Sequence, residues 1–201
     1  MLANSREMIY NITLNNLGVS AVIQNTTEIN PRTAVLNNQY ELAKEQVMKD
    51  FDWNFLNRIR ELTPSTEESP DPKFRYAYDY PNDCIAARYL IDPYGGQYKK
   101  FEVTTDSSGS KIIVCNIKPA KLSYTRDIAS AVPEAYFTSE FVSALCFYLA
   151  FLCAETITGA TDKKQSNYQA YQYALSKAKA MNANESTEKD EDVTTYLDSR
   201  N

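Results

Sequence analysis

The sequence predicts an α+β fold, with a four-helix bundle core, an inserted small antiparallel β-sheet and an extended C-terminal arm. Apolar residues recur every three or four positions in the first and last thirds of the chain, as they do on helix faces. Alternating residues and turn signals fill the middle third. We therefore expect N-terminal helices, a sheet region, C-terminal helices and an acidic arm at 1–61, 62–130, 131–183 and 184–201.

The first helix is predicted over residues 5–17. Asn4 and Glu7 form a plausible capping pair, and Gly18 ends the run. The apolar positions stand at roughly helical spacing: Met8, Ile9, Ile12 and Leu17. The segment is therefore expected to be a short helix.

A second helix is predicted to begin at Pro31, because proline is favoured at the first helical position. Its apolar positions share one face: Leu36, Tyr40, Ala43, Val47 and Phe51. Trp53, the only tryptophan, extends this patch where the chain must turn. We expect Trp53 to be a buried structural residue that closes the end of the bundle where the helix meets the sheet.

Five strands are predicted in the middle third. Residues 62–73, which contain three prolines, are expected to form a loop, 93–96 a turn, and 106–110 the turn of a hairpin. The strands are expected at 74–80, 84–91, 99–105, 111–117 and 120–126. Strict alternation in the first strand places four aromatic residues on one face: Phe74, Tyr76, Tyr78 and Tyr80.

Residues 141–154 are almost wholly apolar and predict a central buried helix. These 14 residues lie between Glu140 and Glu155 and fall short of the roughly 20 that a membrane span requires, so no membrane association is expected. A fourth helix, capped by Thr161 or Asp162, is predicted to follow. Its apolar positions recur at three- and four-residue intervals: Tyr168, Tyr171, Leu175, Ala178 and Met181.

Composition limits the chemistry of this chain. The absence of histidine excludes Ser-His-Asp and Cys-His catalysis and two-histidine metal sites. No phosphate-binding glycine motif and no C-x-x-C pair is present, so we expect no cofactor and no metal. A net charge of −5 argues against affinity gained by neutralising nucleic-acid phosphates. The cysteines are expected to be buried thiols in a reducing compartment: Cys84, Cys115, Cys146 and Cys153.

Catalysis is therefore the minority interpretation, and we expect the protein not to be an enzyme. The S-x-x-K matches that begin at Ser108 and Ser186 lack the companion motifs that would give them meaning. A carboxylate-based enzyme or ligand-binding protein that uses Asp50 and Asp52, near Trp53, remains the alternative. Paired aspartates beside an aromatic residue are far more often a solvated helix end.

The C-terminal segment 184–201 has six acidic and two basic residues and few apolar groups, a composition that predicts disorder in isolation. Its exception is a small apolar patch formed by Val193, Tyr196 and Leu197. This patch is predicted to dock on a partner, with the neighbouring carboxylates setting the orientation. A merely solubilising tail is the alternative.

An ordered set of motifs between about residues 8 and 183 resembles the tail tubular protein A family, the head-to-tail adaptors of short-tailed bacteriophages. The motifs are 14-LNNLGV-19, 40-YELAKEQVMKDFDWNF-55, 76-YAYDYPNDCIAARYLI-91 and 145-LCFYLAFLCAETITG-159, followed by a tyrosine-bearing helix. The family's W-x-F element matches Trp53 to Phe55. Its aromatic-Pro-x-Asp-Cys element matches Tyr80, Pro81, Asp83 and Cys84.

The resemblance implies a non-enzymatic ring subunit of the virion, made in the host cytoplasm and commonly present in twelve copies. Its partners would be other copies of itself, the portal protein above and the tail nozzle protein below. Double-stranded DNA would pass through the channel without sequence-specific binding, for which an acidic chain of low charge density is suited. By position, 184–201 would be the arm that reaches the portal. A head-completion or neck connector of a long-tailed phage is the related alternative.

Overall fold

The computed structural model describes residues 4–20, 22–91, 97–98, 100–127 and 134–185. Within these residues the fold is mixed α+β, with four α-helices and two small antiparallel sheets, which confirms the predicted class. The predicted arm, 184–201, lies almost wholly outside the described residues, as do the predicted turn at 93–96 and the second S-x-x-K match at Ser186.

The four helices share one hydrophobic core. They are α1 (Arg6–Asn16), α2 (Pro31–Asp50), α3 (Ser139–Thr158) and α4 (Thr161–Glu185). Helix α3 is central, because α1, α2 and α4 each pack against it. Nine of the 20 residues of α3 are buried, because apolar side chains lie on several sides of the helix and such a helix requires neighbours on several sides.

Local signals account for most helix ends. The Asn30 side chain accepts a hydrogen bond from the backbone of Arg32 and caps α2, and Thr138 caps α3 in the same way. Helix α3 ends at Gly159, whose φ of 68° lies in the left-handed region that favours glycine. The predicted cap of α1 is wrong: Ser5 caps it, while the Asn4 amide donates to the carbonyl of Phe137.

The predicted apolar faces of α2 and α4 are buried along their centres and not at every end. Phe51 follows the last residue of α2, has an extended backbone and is only half-buried. On α4, Tyr171, Leu175 and Ala178 are buried, whereas Tyr168 and Met181 are exposed. Tyr168 still contacts α3, since its ring lies 5.0 Å from that of Phe151, but the contact leaves it partly open to solvent.

Seven strands form the two sheets. They are β1 (Asn57–Glu61), β2 (Tyr76–Asp79), β3 (Cys84–Ile91), β4 (Gln97–Tyr98), β5 (Phe101–Thr105), β6 (Lys111–Cys115) and β7 (Lys121–Arg126). The first sheet has the order β1-β7-β3-β4 and the second β2-β6-β5, with every pairing antiparallel. The five predicted strands are present: β3 has the predicted bounds, and the other four are shorter than predicted by one to three residues. Strands β1 and β4 are not predicted by the sequence patterns.

The prediction of a single sheet is wrong. The two sheets face each other across a second hydrophobic core, to which the first contributes Leu90, Leu122 and Tyr124, and the second Tyr78 and Ile113. The opposite face of the first sheet packs on the helices, as the complete burial of Ser123 and Thr125 on β7 indicates. Strand β7 of the first sheet is therefore covered on both sides.

The predicted face of the first aromatic strand is also wrong at one position. Tyr76, Tyr78 and Tyr80 pack in the core between the sheets, whereas Phe74 packs with Ala77 on the other side of the second sheet. Strand β2 begins only at Tyr76, so the alternation does not extend back to Phe74.

Helix α3 is long and apolar enough to cross a membrane by length and composition, and half of its most apolar stretch is buried within the protein. The central helix of a folded core and a membrane-spanning helix share this composition. Hydropathy alone therefore assigns no location to this chain.

Candidate functional site

The W-x-F element lies at the junction between the helical core and the first sheet. Trp53 is 3% exposed, and its indole Nε1 donates a 2.8 Å hydrogen bond to the carbonyl of Val47 on α2. Its ring meets Phe51 and Phe141 edge-on, with centroids 4.8 and 5.1 Å away, and Phe55 adjoins it at 6.4 Å. A short 3-10 helix at Asn54–Leu56 then leads into β1. Trp53 is thus a packing residue, as expected from the sequence.

Arg88 on β3 joins the same junction to the sheet, and the sequence analysis did not single it out. Its guanidinium donates to the carbonyls of Phe51 and Met48 at 2.7 and 3.1 Å and to the hydroxyl of Thr125 at 2.8 Å. These bonds satisfy carbonyls at the end of α2 that have no partner within the helix. A lone arginine on an alternating strand carries no signal that distinguishes this role from a solvent-exposed one.

The carboxylates considered for catalysis are held by structural partners. Asp50 accepts a 2.6 Å hydrogen bond from the hydroxyl of Tyr171 on α4. Asp52 lies 3.8 Å from Arg88 and 3.4 Å from the side-chain amide of Asn57. The two aspartates therefore face different elements, α4 and the first sheet, and do not converge on a shared substrate position.

The aromatic-Pro-x-Asp-Cys element connects β2 to β3 and so joins the two sheets. Pro81 is buried, and its carbonyl accepts from the backbone of Cys84 at 2.9 Å. Asp83 accepts a 2.9 Å hydrogen bond from the hydroxyl of Tyr124 and a 2.8 Å bond from Arg58. These contacts fix the turn that carries the chain from one sheet to the other, which gives the motif a structural role.

An open cleft of about 720 Å³ lies beside this turn, between the two sheets. Its side chains carry both signs of charge, among them Arg60, Asp79 and Lys111. Burial raises the pKa of the Tyr80 phenol and of the Cys84 thiol, which are also hydrogen-bonded to each other. Neither group is ionised at neutral pH, so the cleft lacks an activated nucleophile of either type.

A second polar cluster ties α1 and α2 to the segment that precedes α3. Glu134 accepts 3.1 Å hydrogen bonds from Arg6 and from the hydroxyl of Tyr40, and the Arg6 guanidinium lies 4.3 Å from the centre of the Tyr40 ring. Burial alone would raise the pKa of Glu134, but hydrogen bonds from its own backbone, Arg6 and Tyr40 outweigh burial and lower it. The cluster is a structural ion-pair network.

The cysteines are free thiols, as expected, but they are not all buried. Cys115, Cys146 and Cys153 are buried, whereas Cys84 is partly exposed because it begins β3 beside the open cleft. Burial raises the pKa of Cys146 and Cys153 to about 12, which leaves both unreactive in the folded protein. Among the described residues, no three potential ligands are grouped to hold a metal ion.

The predicted partner-binding residues Val193, Tyr196 and Leu197 lie outside the described residues. The described surface offers other apolar side chains, which are spread over several elements: Val22, Ile29, Leu42, Ile59, Val103, Tyr136 and Tyr173. Two of them, Ile59 and Val103, occupy the edge strands β1 and β5.

Comparison with known proteins adds no family assignment: no protein-family model matches the chain, and no curated protein matches it.

Proposed function

We propose that this chain is a structural adaptor subunit of a bacteriophage head-to-tail connector, which forms a ring beneath the portal, receives the tail nozzle and lets the genome pass. The proposal depends on the ordered motif set that resembles the tail tubular protein A family. One observation supports it: the motif at Trp53–Phe55 packs where the helices meet the first sheet, and the motif at Tyr80–Cys84 connects the two sheets. Motifs with architectural roles suit a ring subunit better than an enzyme.

The proposal includes a finer architecture than the mixed α+β class. We propose that the helices around α3 form the four-helix bundle of the adaptor and that 184–201 is an arm that docks on the portal. Val193, Tyr196 and Leu197 would insert into an apolar site there, while the surrounding carboxylates orient the arm. The arm would gain order on binding, so affinity would come from few residues.

The chemistry of the described residues supports a non-enzymatic role without a cofactor. The thiol and phenol in the cleft both have raised pKa values, and Asp50 is engaged by Tyr171. The net charge of −5 suits a channel through which DNA slides, because an acidic protein gains little from contacting phosphates. We propose that the protein resides at the head-tail junction of the virion.

The test is a tagged pull-down from cells that produce the parent virus, with mass spectrometry and negative-stain imaging of the eluate. The full chain should recover a large ring-forming portal with this protein stacked beneath it. A chain that lacks 184–201 should keep its melting temperature, because the composition of this segment predicts disorder in isolation, and should lose portal attachment.

A matched control separates the apolar patch from the charge of the arm. One variant replaces Val193, Tyr196 and Leu197 with alanine, and the other replaces Asp190 and Asp192 with asparagine. The first should lose attachment, and the second should retain most of it. Full attachment by the truncated chain would disprove the docking arm, and recovery of the chain alone would disprove the adaptor function.

A further inference from the structure

Strands β1 and β5 each lie at an edge of a sheet and have one side unpaired within the part of the chain that the structure describes. An edge strand presents backbone N–H and C=O groups that can pair with another strand. Both edges also expose an apolar side chain at their centre: Ile59 is 56% exposed and Val103 is 46% exposed. The two edges belong to different sheets of the same molecule.

The pairing of each strand with its inner neighbour determines which backbone groups point outward. Next to β1, the N–H of Leu62 donates to Ala120 at 2.9 Å, and the register runs back along β7 from there. Because hydrogen-bonded and non-hydrogen-bonded pairs alternate in an antiparallel ladder, the backbone groups of Asn57, Ile59 and Glu61 point away from β7.

The same reasoning applies to β5. At the hairpin, the N–H of Asp106 donates to Ser110 at 2.9 Å, and the register continues along β6. The backbone groups that point away from β6 are therefore those of Phe101, Val103 and Thr105. Each edge thus offers three residues whose backbone groups face no neighbouring strand within the described residues, at the same two-residue spacing.

We propose that β1 of one copy pairs antiparallel with β5 of a second copy, with Ile59 opposite Val103 and Arg60 opposite Glu102. This register overlaps the two five-residue strands completely and aligns all three outward-pointing residues of each. It places the two exposed apolar side chains side by side and an arginine beside a carboxylate. The inference rests on the proposed ring, for which it identifies the contact between neighbouring subunits.

Charge supports this register over its neighbours. Arg58, the other arginine of β1, is already paired with Asp83 of its own chain. Within the described residues, the side chains of Arg60 and Glu102 have no ion pair or hydrogen bond, and both are exposed. Arg60 would face Glu102 at a non-hydrogen-bonded pair of the new ladder, where opposing side chains lie closest.

The contact is heterologous, because β1 and β5 are different surfaces. Repetition of a heterologous contact gives a closed ring when the rotation between copies closes and an open filament when it does not. Charged residues on an edge strand normally prevent indiscriminate pairing. Arg60 therefore discourages most strands and favours one that carries a carboxylate at the matching position.

Disulfide trapping with the purified full-length chain tests the pairing. Protein carrying Ile59→Cys is mixed with protein carrying Val103→Cys under mild oxidation, and covalent heterodimers are measured. The matched control replaces Val103→Cys with Val22→Cys, which lies on an exposed loop and is 77% exposed. The first mixture should give several-fold more heterodimer than the control. Equal yields would overturn the proposal.

Charge exchange at positions 60 and 102 gives a second readout with the same pair of introduced cysteines. Within the trapping pair, Arg60→Glu or Glu102→Lys alone should lower the heterodimer yield about three- to tenfold, because like charges then oppose each other. Both changes together, one on each partner, should restore the yield. Arg58→Glu, the control, should not be rescued by Glu102→Lys. Failure of the double exchange to restore trapping would overturn the register.

Portal pull-down separates this inference from the proposed function. Selective trapping without portal recovery would uphold the β1–β5 contact and disprove the adaptor function. Portal-bound rings that are indifferent to Arg60→Glu and that do not trap between positions 59 and 103 would uphold the adaptor and disprove the contact.

Discussion

Replacing Trp53 with alanine should unfold the junction between the helices and the first sheet more than any other single truncation there. The indole is 3% exposed, contacts three phenylalanines edge-on or tilted, and satisfies the carbonyl of Val47. Truncation of a buried Trp or Phe to alanine typically costs about 3 to 5 kcal/mol. We expect the upper half of that range, because the aromatic contacts and the hydrogen bond are lost together.

The assay is urea unfolding followed by far-UV circular dichroism, since removal of the only tryptophan removes the fluorescence signal. A loss of about 3 to 5 kcal/mol lowers the melting temperature of a chain of this size by about 6 to 20 °C. Trp53→Phe is the matched control, because it keeps a ring and loses mainly the hydrogen bond. It should cost about 1 to 2 kcal/mol.

A Trp53→Ala protein within about 1 kcal/mol of the wild type would refute this reasoning, because burial of the indole predicts a cost several times larger. If such a protein also failed to assemble on the portal, Trp53 would be an interface residue and not a packing residue.

Three further predictions follow from the polar contacts and the thiols. Arg88→Lys keeps the charge but loses the planar guanidinium group that hydrogen-bonds to the end of α2. It should lower the free energy of unfolding by about 2 to 3 kcal/mol in a urea titration. An unchanged free energy of unfolding would mean that these hydrogen bonds make no net contribution to stability. The folded state lowers the pKa of Glu134 from the ordinary 4.5, so its stabilisation is present above that value and is lost as the pH falls through the lower, folded pKa. Glu134→Gln should therefore be less stable than the wild type at pH 7, and the two proteins should converge as the pH falls below the lowered pKa of Glu134 in the folded state. A difference independent of pH would contradict the ion-pair interpretation. Iodoacetamide should modify Cys84 first, because it is partly exposed, whereas Cys146 and Cys153 should react only after denaturation. Peptide mass spectrometry distinguishes the modified sites. Early modification of Cys146 would contradict its burial.

Local periodicity in the sequence predicts most elements of this fold correctly. Pro31 marks the start of α2, Gly18 follows the C-cap of α1, and the alternation before Thr105 indicates strands, because each of these signals acts through backbone conformation within a few residues. The burial of Trp53 was also predictable, since it continues an apolar helix face.

The sequence patterns do not show which strands pair with each other. Alternation indicates that β6 and β7 are strands, but the same alternation would be present whether they belonged to one sheet or to two. Strand β1, with the sequence Asn-Arg-Ile-Arg-Glu, lacks the apolar residues of a half-buried strand. It lies at the edge of its sheet beside β7, and most of its side chains are exposed. An edge strand is therefore harder to recognise than a central one.

The sequence by itself determined the class of the fold, the start of α2 at Pro31 and the absence of histidine chemistry, because composition and short-range geometry suffice for these. Only the tertiary structure shows that Arg88 on β3 hydrogen-bonds to carbonyls at the end of α2 and that Asp50 accepts a hydrogen bond from Tyr171. It also shows that β1 and β5 lie at the edges of their sheets. Each of these depends on which distant residues meet, and a contact between residues far apart in the chain leaves no mark on the local pattern of either one.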